Sequence, residues 1–469
     1  MKFQKKILAG ELRAGALRVD ITDVGDQGYK GFYLKDCEIV DRLEAKISYL
    51  ESEGQKFVWI SLDECSIRTH SAKIVFAKIS SGLNIPTDNI MMACVHTHSG
   101  HNAAINWDML ANILIKGIQD AAKNVVIISQ IKQTVGVIKN IANRRVDLPE
   151  NLGSYCVMFN NQCNVDESAC RIDATEQIVD FLKKSEGESF IDKNKNQEYV
   201  LGDNFDNRVH LWELLDKNSK PILAVIRVNA HPVIVSQSRV GAKISGDYAK
   251  VLEKLIEKDL NCVCSLFNGA FGDTRPITNN YSFEDREAFA KKYFKALKES
   301  QQITTAKAQL TWMQFNDVEV QLRDEMPRSI TGIKALRETV LNNIKEKIGS
   351  NKINYDLLEV VESFLLHESN RPSVIVYNDE ITKGMAVYQI NGWAIGPMKI
   401  LALPGEPLTD FAAAIEKETG VLPIGLANGY LSYLPDIVSA KKGGYEANQN
   451  VLNDNGLKEL ISLSSYFKN

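Results

Sequence analysis

Four short apolar runs in this chain each close on a residue capable of metal binding or acid–base chemistry. Met91–Val95 closes on His96-Thr97-His98, and Pro221–Ala230 closes on His231. Val263–Phe267 leads into a turn that holds Asp273, and the run over 399–403 leads into Pro404-Gly405-Glu406. Short apolar runs bounded by turn residues read as buried strands. Polar groups at the strand ends of an α/β sheet gather along one edge, where ligand crevices form. The pattern predicts an α/β fold of central mixed sheets flanked by helices, with one site at the strand ends. Because the motifs span residues 96 to 433, a shared site makes the chain one catalytic unit rather than several domains.

Within the first motif the two histidines are one residue apart. On a continuing strand they would share a face. Two imidazoles together suit metal binding or proton transfer, although the spacing alone also fits an incidental surface or core pair. Phe57–Leu62 closes on Asp63 in the same manner. Two histidines and a glutamate form a recurring catalytic zinc set that leaves a position for water.

Between these runs the spacing predicts helices over 66–82, 107–126, 174–184, 245–257, 283–299, 331–348, 355–367 and 407–418. Asn391-Gly392 within Val387–Gly396 predicts a hairpin turn. The glycines at 25, 28 and 31 predict a loop. Residues 160–208 are polar and read as an insertion, either a lid over the site or a surface excursion.

Composition narrows the partners. Lys and Arg number 55 against 59 Asp and Glu, and no dense basic run occurs, so nucleic acid is not expected. No apolar run approaches the ~18 residues of a membrane span. The lysine-rich start resembles a signal peptide, but Ile7-Leu8-Ala9 is far short of the ~7–15 apolar residues such a segment needs. The eight cysteines are scattered, mostly in apolar segments, which predicts reduced thiols in a cytoplasmic protein. A small-molecule substrate remains as the expected partner.

The order of the motifs carries more than any one of them. His96-Thr97-His98-Ser99-Gly100 comes first. His231 follows, then Ser245-Gly246-Asp247-Tyr248 and Asn268-Gly269-Ala270-Phe271-Gly272-Asp273. Pro404-Gly405-Glu406, Ala427-Asn428-Gly429-Tyr430-Leu431-Ser432-Tyr433 and Gly443-Gly444-Tyr445-Glu446 complete the series. The series resembles the catalytic domain of the neutral/alkaline ceramidase family, from about residue 14 to 450. The resemblance implies a catalytic zinc ion held by His96, His231, Glu406 and Tyr433, with Tyr430 the near alternative for the tyrosine. It implies a substrate or proton-shuttle role for His98, and a carbonyl or oxyanion clamp for Arg144 in Asn143-Arg144-Arg145. Asp63 and Asp273 are expected to steady ligating histidines, as metal sites usually require. The chain ends soon after Glu446, so the family's immunoglobulin-like C-terminal domain is expected to be absent.

The chain departs from the family in one place that bears on mechanism. Where the family carries its nucleophilic serine, this chain reads Gly272-Asp273-Thr274-Arg275-Pro276. Thr274 is adjacent but projects to the other side of an extended segment. The chemistry is therefore expected to rest on metal-activated water, whose pKa zinc can lower to about 7. Arg275, with Thr274 beside it, is expected at the substrate, where its planar fork suits an anionic group. The expected activity is hydrolysis of a small N-acyl amide other than ceramide. An esterase or lactonase and a non-catalytic ligand-binding homologue are the alternatives, and manganese or iron could replace zinc.

Overall fold

Strand Gln55–Leu62 is apolar on both sides because both of its faces are covered. Val58, Ile60 and Leu62 pack under the helices Thr69–Leu83 and Trp107–Lys123, while Phe57 and Trp59 point into a second core. This is the alternation of side chains across a sheet, with both faces buried. The computed structural model describes residues 1–25, 38–101, 105–158, 163–194, 196–202, 204–235, 243–278, 280–323 and 385–468. The glycines at 28 and 31 and the helices expected over 331–348 and 355–367 lie outside them.

Three five-stranded sheets organise the described residues. In spatial order the first is Ile90–Cys94, Gln55–Leu62, Glu44–Ser52, Leu12–Asp20 and Val126–Ile128. The second is Val263–Asn268, Pro221–Val228, Arg208–Leu215, Gln130–Val137 and Gln302–Lys307. The third is Lys2–Leu8, Leu310–Gln321, Met385–Ile395, Met398–Ala402 and Leu422–Ile424. Each sheet contains one parallel pair: Leu62 beside Cys94, Val228 beside Asn268, and Ala402 beside Ile424. A parallel pair needs a crossover. The helices Thr69–Leu83, Asp247–Leu260 and Thr409–Glu416 lie within these three connections. Parallel strands finish side by side, so each sheet brings two carboxyl ends to one edge.

A shared core joins the three sheets. Trp59 meets Trp393 edge-on at 5.4 Å, and Phe57 meets Trp393 at 5.3 Å. Trp212, Val225 and Phe267 of the second sheet join the same cluster. The outer faces carry the helices. Asp247–Leu260 and Phe283–Lys298 cover the second sheet, and Thr409–Glu416 and Asp454–Ser462 cover the third. Ser282 starts the helix Phe283–Lys298 with a capping box closed by Asp285.

One turn expectation fails. Asn391-Gly392 does not reverse the chain. Met385–Ile395 is a continuous strand, and the reversal falls at Gly396, whose φ is +52°. Asn391 is instead buried, and its amide donates to the Asp88 carbonyl (2.7 Å) and to Gln314 Oε1 (2.5 Å). Gly392 gives room to Phe467, whose ring would lie 2.7 Å from an added Cβ. Packing used both residues that the turn signal claimed.

Of residues 160–208, the described part forms the hairpin Asn164–Asp166/Arg171–Asp173 and the helices Thr175–Glu186 and Glu188–Lys193. Ile172, Ile178 and Leu182 pack against Val146, Val157 and Ile277. The seven described cysteines are free. No described helix is long and apolar enough to cross a membrane.

Candidate metal centre

His96 lies two residues beyond the end of its strand, not on it. The chain leaves the sheet at Cys94, and the His96 N–H donates to the Glu64 carbonyl (2.9 Å). His96 has φ +66°, a left-handed conformation uncommon for a residue with a Cβ. This turn, rather than strand alternation, brings His98 Nε2 to 3.2 Å from His96 Nε2. His96 Nδ1 donates to the Cys65 carbonyl at 2.7 Å, which fixes the tautomer and aims Nε2 inward.

His231 arrives on a braced loop. Tyr248 donates its hydroxyl proton to the Ala230 carbonyl (2.5 Å), and Thr274 Oγ1 donates to the Asn229 carbonyl (2.8 Å). Asp247 has φ +55° and accepts from the Val235 N–H (2.8 Å), tying the loop to the crossover helix. His231 Nδ1 donates to the Phe271 carbonyl at 2.9 Å, so its Nε2 also faces inward. Glu406 follows Gly405, where an added Cβ would stand 2.7 Å from the Ser432 carbonyl oxygen. That close approach lets 406–407 pair in parallel with 433–434, placing Glu406 opposite Tyr433.

The three side chains converge. His96 Nε2 is 3.1 Å from His231 Nε2, and Glu406 Oε2 lies 3.4 Å from the first and 3.5 Å from the second. Ligands at ~2.0–2.1 Å around a tetrahedral zinc stand roughly 3.4 Å apart, so these separations suit a shared ion. Glu406 Oε1 accepts from the Tyr430 hydroxyl at 2.7 Å, but Oε2 has no hydrogen-bond partner although Glu406 is 1% exposed. A buried carboxylate oxygen without a donor is costly, and a cation between it and the two imidazoles removes that cost.

Burial alone would push His96 down, but the Glu406 carboxylate overrides it and holds this imidazole well above the usual range. Burial and then the Arg144 charge push His231 well down, while burial and the charge on His96 bring His98 to about 3. A positive charge is therefore favoured beside Glu406. Burial would raise Glu406 itself, yet His96 keeps it below the ordinary carboxylate range.

The other expected residues fall into neighbouring networks. Arg144 is fully buried. Its Nε donates to Glu446 Oε1 (2.7 Å), and its Nη2 donates to the Gly272 carbonyl (2.9 Å) and the Tyr433 hydroxyl (3.2 Å). Arg145 takes the other Glu446 oxygen at 3.0 Å. Of the two tyrosines, Tyr430 is hydrogen-bonded to Glu406 and Tyr433 to Arg144. Asp63 accepts from Lys46 and from the Glu44 N–H (2.9 Å), inside a buried ion network with Lys250. The Nδ1 atoms of His96 and His231 both go to main-chain carbonyls, so Asp63 ties strand Glu44–Ser52 to helix Asp247–Leu260 rather than orienting a ring.

Asp273 likewise accepts from Thr409 N (3.0 Å), Thr409 Oγ1 (2.9 Å) and Asn143 Nδ2 (2.9 Å), joining the Phe271 turn to the segment after Glu406. Thr274 is occupied by the Asn229 and Phe271 carbonyls. Arg275 is 1% exposed and donates to Tyr281 Oη (2.5 Å) and the Met158 carbonyl (3.1 Å), outside the histidine–glutamate cluster. Two participants went unassigned at the sequence level. Glu446 closes the Gly443-Gly444-Tyr445-Glu446 motif, and Cys65 lies outside every motif.

Burial pushes the Asp273 carboxyl up to about 6, against hydrogen bonds from Thr409 that favour the anion. A folded pKa above the unfolded one adds stability that is complete below about 3.9 and lost as pH rises through about 6. The melting temperature of Asp273→Asn is therefore expected to improve relative to wild type between about pH 5 and pH 7. A pH-independent difference would contradict the assignment.

No family model matches this chain, and no curated protein does. Solved structures do. Neutral ceramidase from Pseudomonas aeruginosa superposes with a TM-score of 0.63 at 14% identity, over 97% of this chain and 75% of that one. A ceramidase described as complexed with C2 gives 0.61 at 15% identity, over 97% and 74%. At such identities the likeness speaks for architecture, and it extends over nearly the whole length: this chain has the fold of the neutral ceramidases.

Proposed function

We propose that this protein is a metal-dependent hydrolase that cleaves the amide bond of a small N-acyl substrate. The cation would be held by His96, His231 and Glu406, with Tyr433 as the fourth ligand. The observation that carries the reading is Glu406 Oε2, buried without a donor and facing two inward-turned imidazole nitrogens. Tyr433 is favoured by its ladder position opposite Glu406, since directly paired residues of neighbouring strands share a face. Zinc is the assigned ion because a borderline cation suits imidazole and carboxylate together. Bound there, it would supply Lewis acidity and an activated water nucleophile.

The chain's own groups supply the rest. His98, whose Nε2 lies 3.2 Å from His96 Nε2, would take a proton from an attacking water and return it to the departing nitrogen, the step an amide needs and an ester does not. Arg144, which keeps its positive charge and donates to Tyr433, would stabilise charge developing on a carbonyl oxygen. Arg275 has no part in this reading, because its guanidinium already serves Tyr281 and Met158. The free cysteines fit a reducing compartment such as the cytoplasm.

His98→Gln is expected to lower kcat by about 10²–10⁴-fold on amides while the metal content stays at the wild-type level. Turnover would be measured with matched N-acyl amides and esters. Turnover of esters alone by the wild type would overturn the amide assignment in favour of an esterase.

A further inference from the structure

His96 has neighbours on two sides. On the inner side are His231 and Glu406, both buried; on the outer side are Cys65 and His98, both half-buried. Cys65 Sγ lies 3.5 Å from His96 Nδ1, and one ligand atom from each of Cys65, His96 and His98 falls within 4.8 Å of the others. Cys65 is a free thiol. Its position is fixed by main-chain bonds: His96 N–H donates to the Glu64 carbonyl (2.9 Å), and His96 Nδ1 donates to the carbonyl of Cys65 itself (2.7 Å). These bonds hold the chain at Cys65 against His96.

The two sets differ in chemistry. The inner one offers two imidazoles and a carboxylate. The outer one offers two imidazoles and a sulfur, and thiolate selects softer cations than carboxylate does. We propose that Cys65, His96 and His98 form a second, outer ligand set that captures thiophilic divalent cations, with cadmium as the probe. As the sulfur–metal bond forms, the thiol proton passes to solvent, and nothing is oxidised or reduced. His96 belongs to both sets, and Cys65 Sγ stands against its Nδ1, so an outer ion bound there takes that nitrogen from the Cys65 carbonyl. Occupation of the outer set withdraws His98 from substrate. The inference goes beyond the hydrolase reading and would hold in a protein that turned over no amide.

The test is titration of metal-free full-length protein with cadmium chloride, read by the ultraviolet charge-transfer absorption of a cadmium–thiolate bond. The wild type is expected to show the band at about one equivalent, Cys65→Ser to lose it, and His231→Ala to keep it. Absence of the band in the wild type, or its persistence in Cys65→Ser, would overturn the proposal. Alkylation of Cys65 by iodoacetamide, followed by peptide mass spectrometry, needs no variant. One equivalent of cadmium is expected to slow it by at least about tenfold, magnesium not at all, and unchanged alkylation with cadmium counts against the outer set. Full zinc retention by His231→Ala, together with the expected cadmium behaviour, would sink the inner site and leave this one standing.

Discussion

Glu406→Gln is expected to leave purified protein without stoichiometric divalent metal and without measurable amide hydrolysis. The glutamine keeps the size of the side chain and an oxygen for the Tyr430 hydroxyl. It removes the only formal negative charge among His96, His231 and Glu406, on the oxygen that lies 3.4–3.5 Å from both imidazole nitrogens. Losing an outer partner of a metal ligand typically costs about 10–100-fold in metal affinity, and loss of a charged ligand should cost more. Elemental analysis after dialysis against a weak chelator reads the outcome. Wild-type metal content in Glu406→Gln would mean that the ion, if present, sits elsewhere.

Glu446→Ala is expected to destabilise the protein by about 3–5 kcal/mol, because removing one partner of a buried ion pair strands the other. Glu446 and Arg144 are both fully buried, 2.7 Å apart, and Arg145 meets the second carboxylate oxygen at 3.0 Å. Burial would raise the Glu446 carboxyl, but the two arginines override it and keep it below the ordinary range, so it is an anion in the fold. The same substitution frees Arg144 from a bond that aims it at Tyr433, so activity should fall along with stability. Urea unfolding of Glu446→Ala and Glu446→Gln measures the effect. The glutamine variant should recover part of the loss, since it still offers an acceptor. A change below about 1 kcal/mol in the alanine variant, the scale of an exposed pair, would contradict this account.

The elements that carry the site were legible because burial on both faces makes their sequences continuously apolar. Met91–Val95, Pro221–Ala230 and Val263–Phe267 could hardly be anything but interior strands. The edge on which they end follows from the parallel pair in each sheet, which is why His96, His231 and Glu406 meet although they follow strands of three different sheets. What the sequence hid is the local geometry that finishes the job. His96 and His98 were paired by alternation, but the strand stops at Cys94 and a left-handed residue does the pairing. Asp63 and Asp273 looked like supports for histidine rings, yet main-chain carbonyls of Cys65 and Phe271 fill that role, and carbonyls leave no mark in a sequence. Arg144 and Glu446 are 302 positions apart, so no local pattern links them. Asn391-Gly392 misled for the opposite reason, as a strong local signal overridden by a buried amide network.

The proposed activity depends on a cation held by His96, His231, Glu406 and Tyr433. X-ray diffraction at the zinc absorption edge, from crystals of the full chain grown with zinc, tests it most directly. The account predicts one strong anomalous peak about 2.0–2.2 Å from His96 Nε2, His231 Nε2 and a Glu406 oxygen, with the Tyr433 hydroxyl completing the set. No peak at this position, or a peak that excludes both His231 and Glu406, would contradict it.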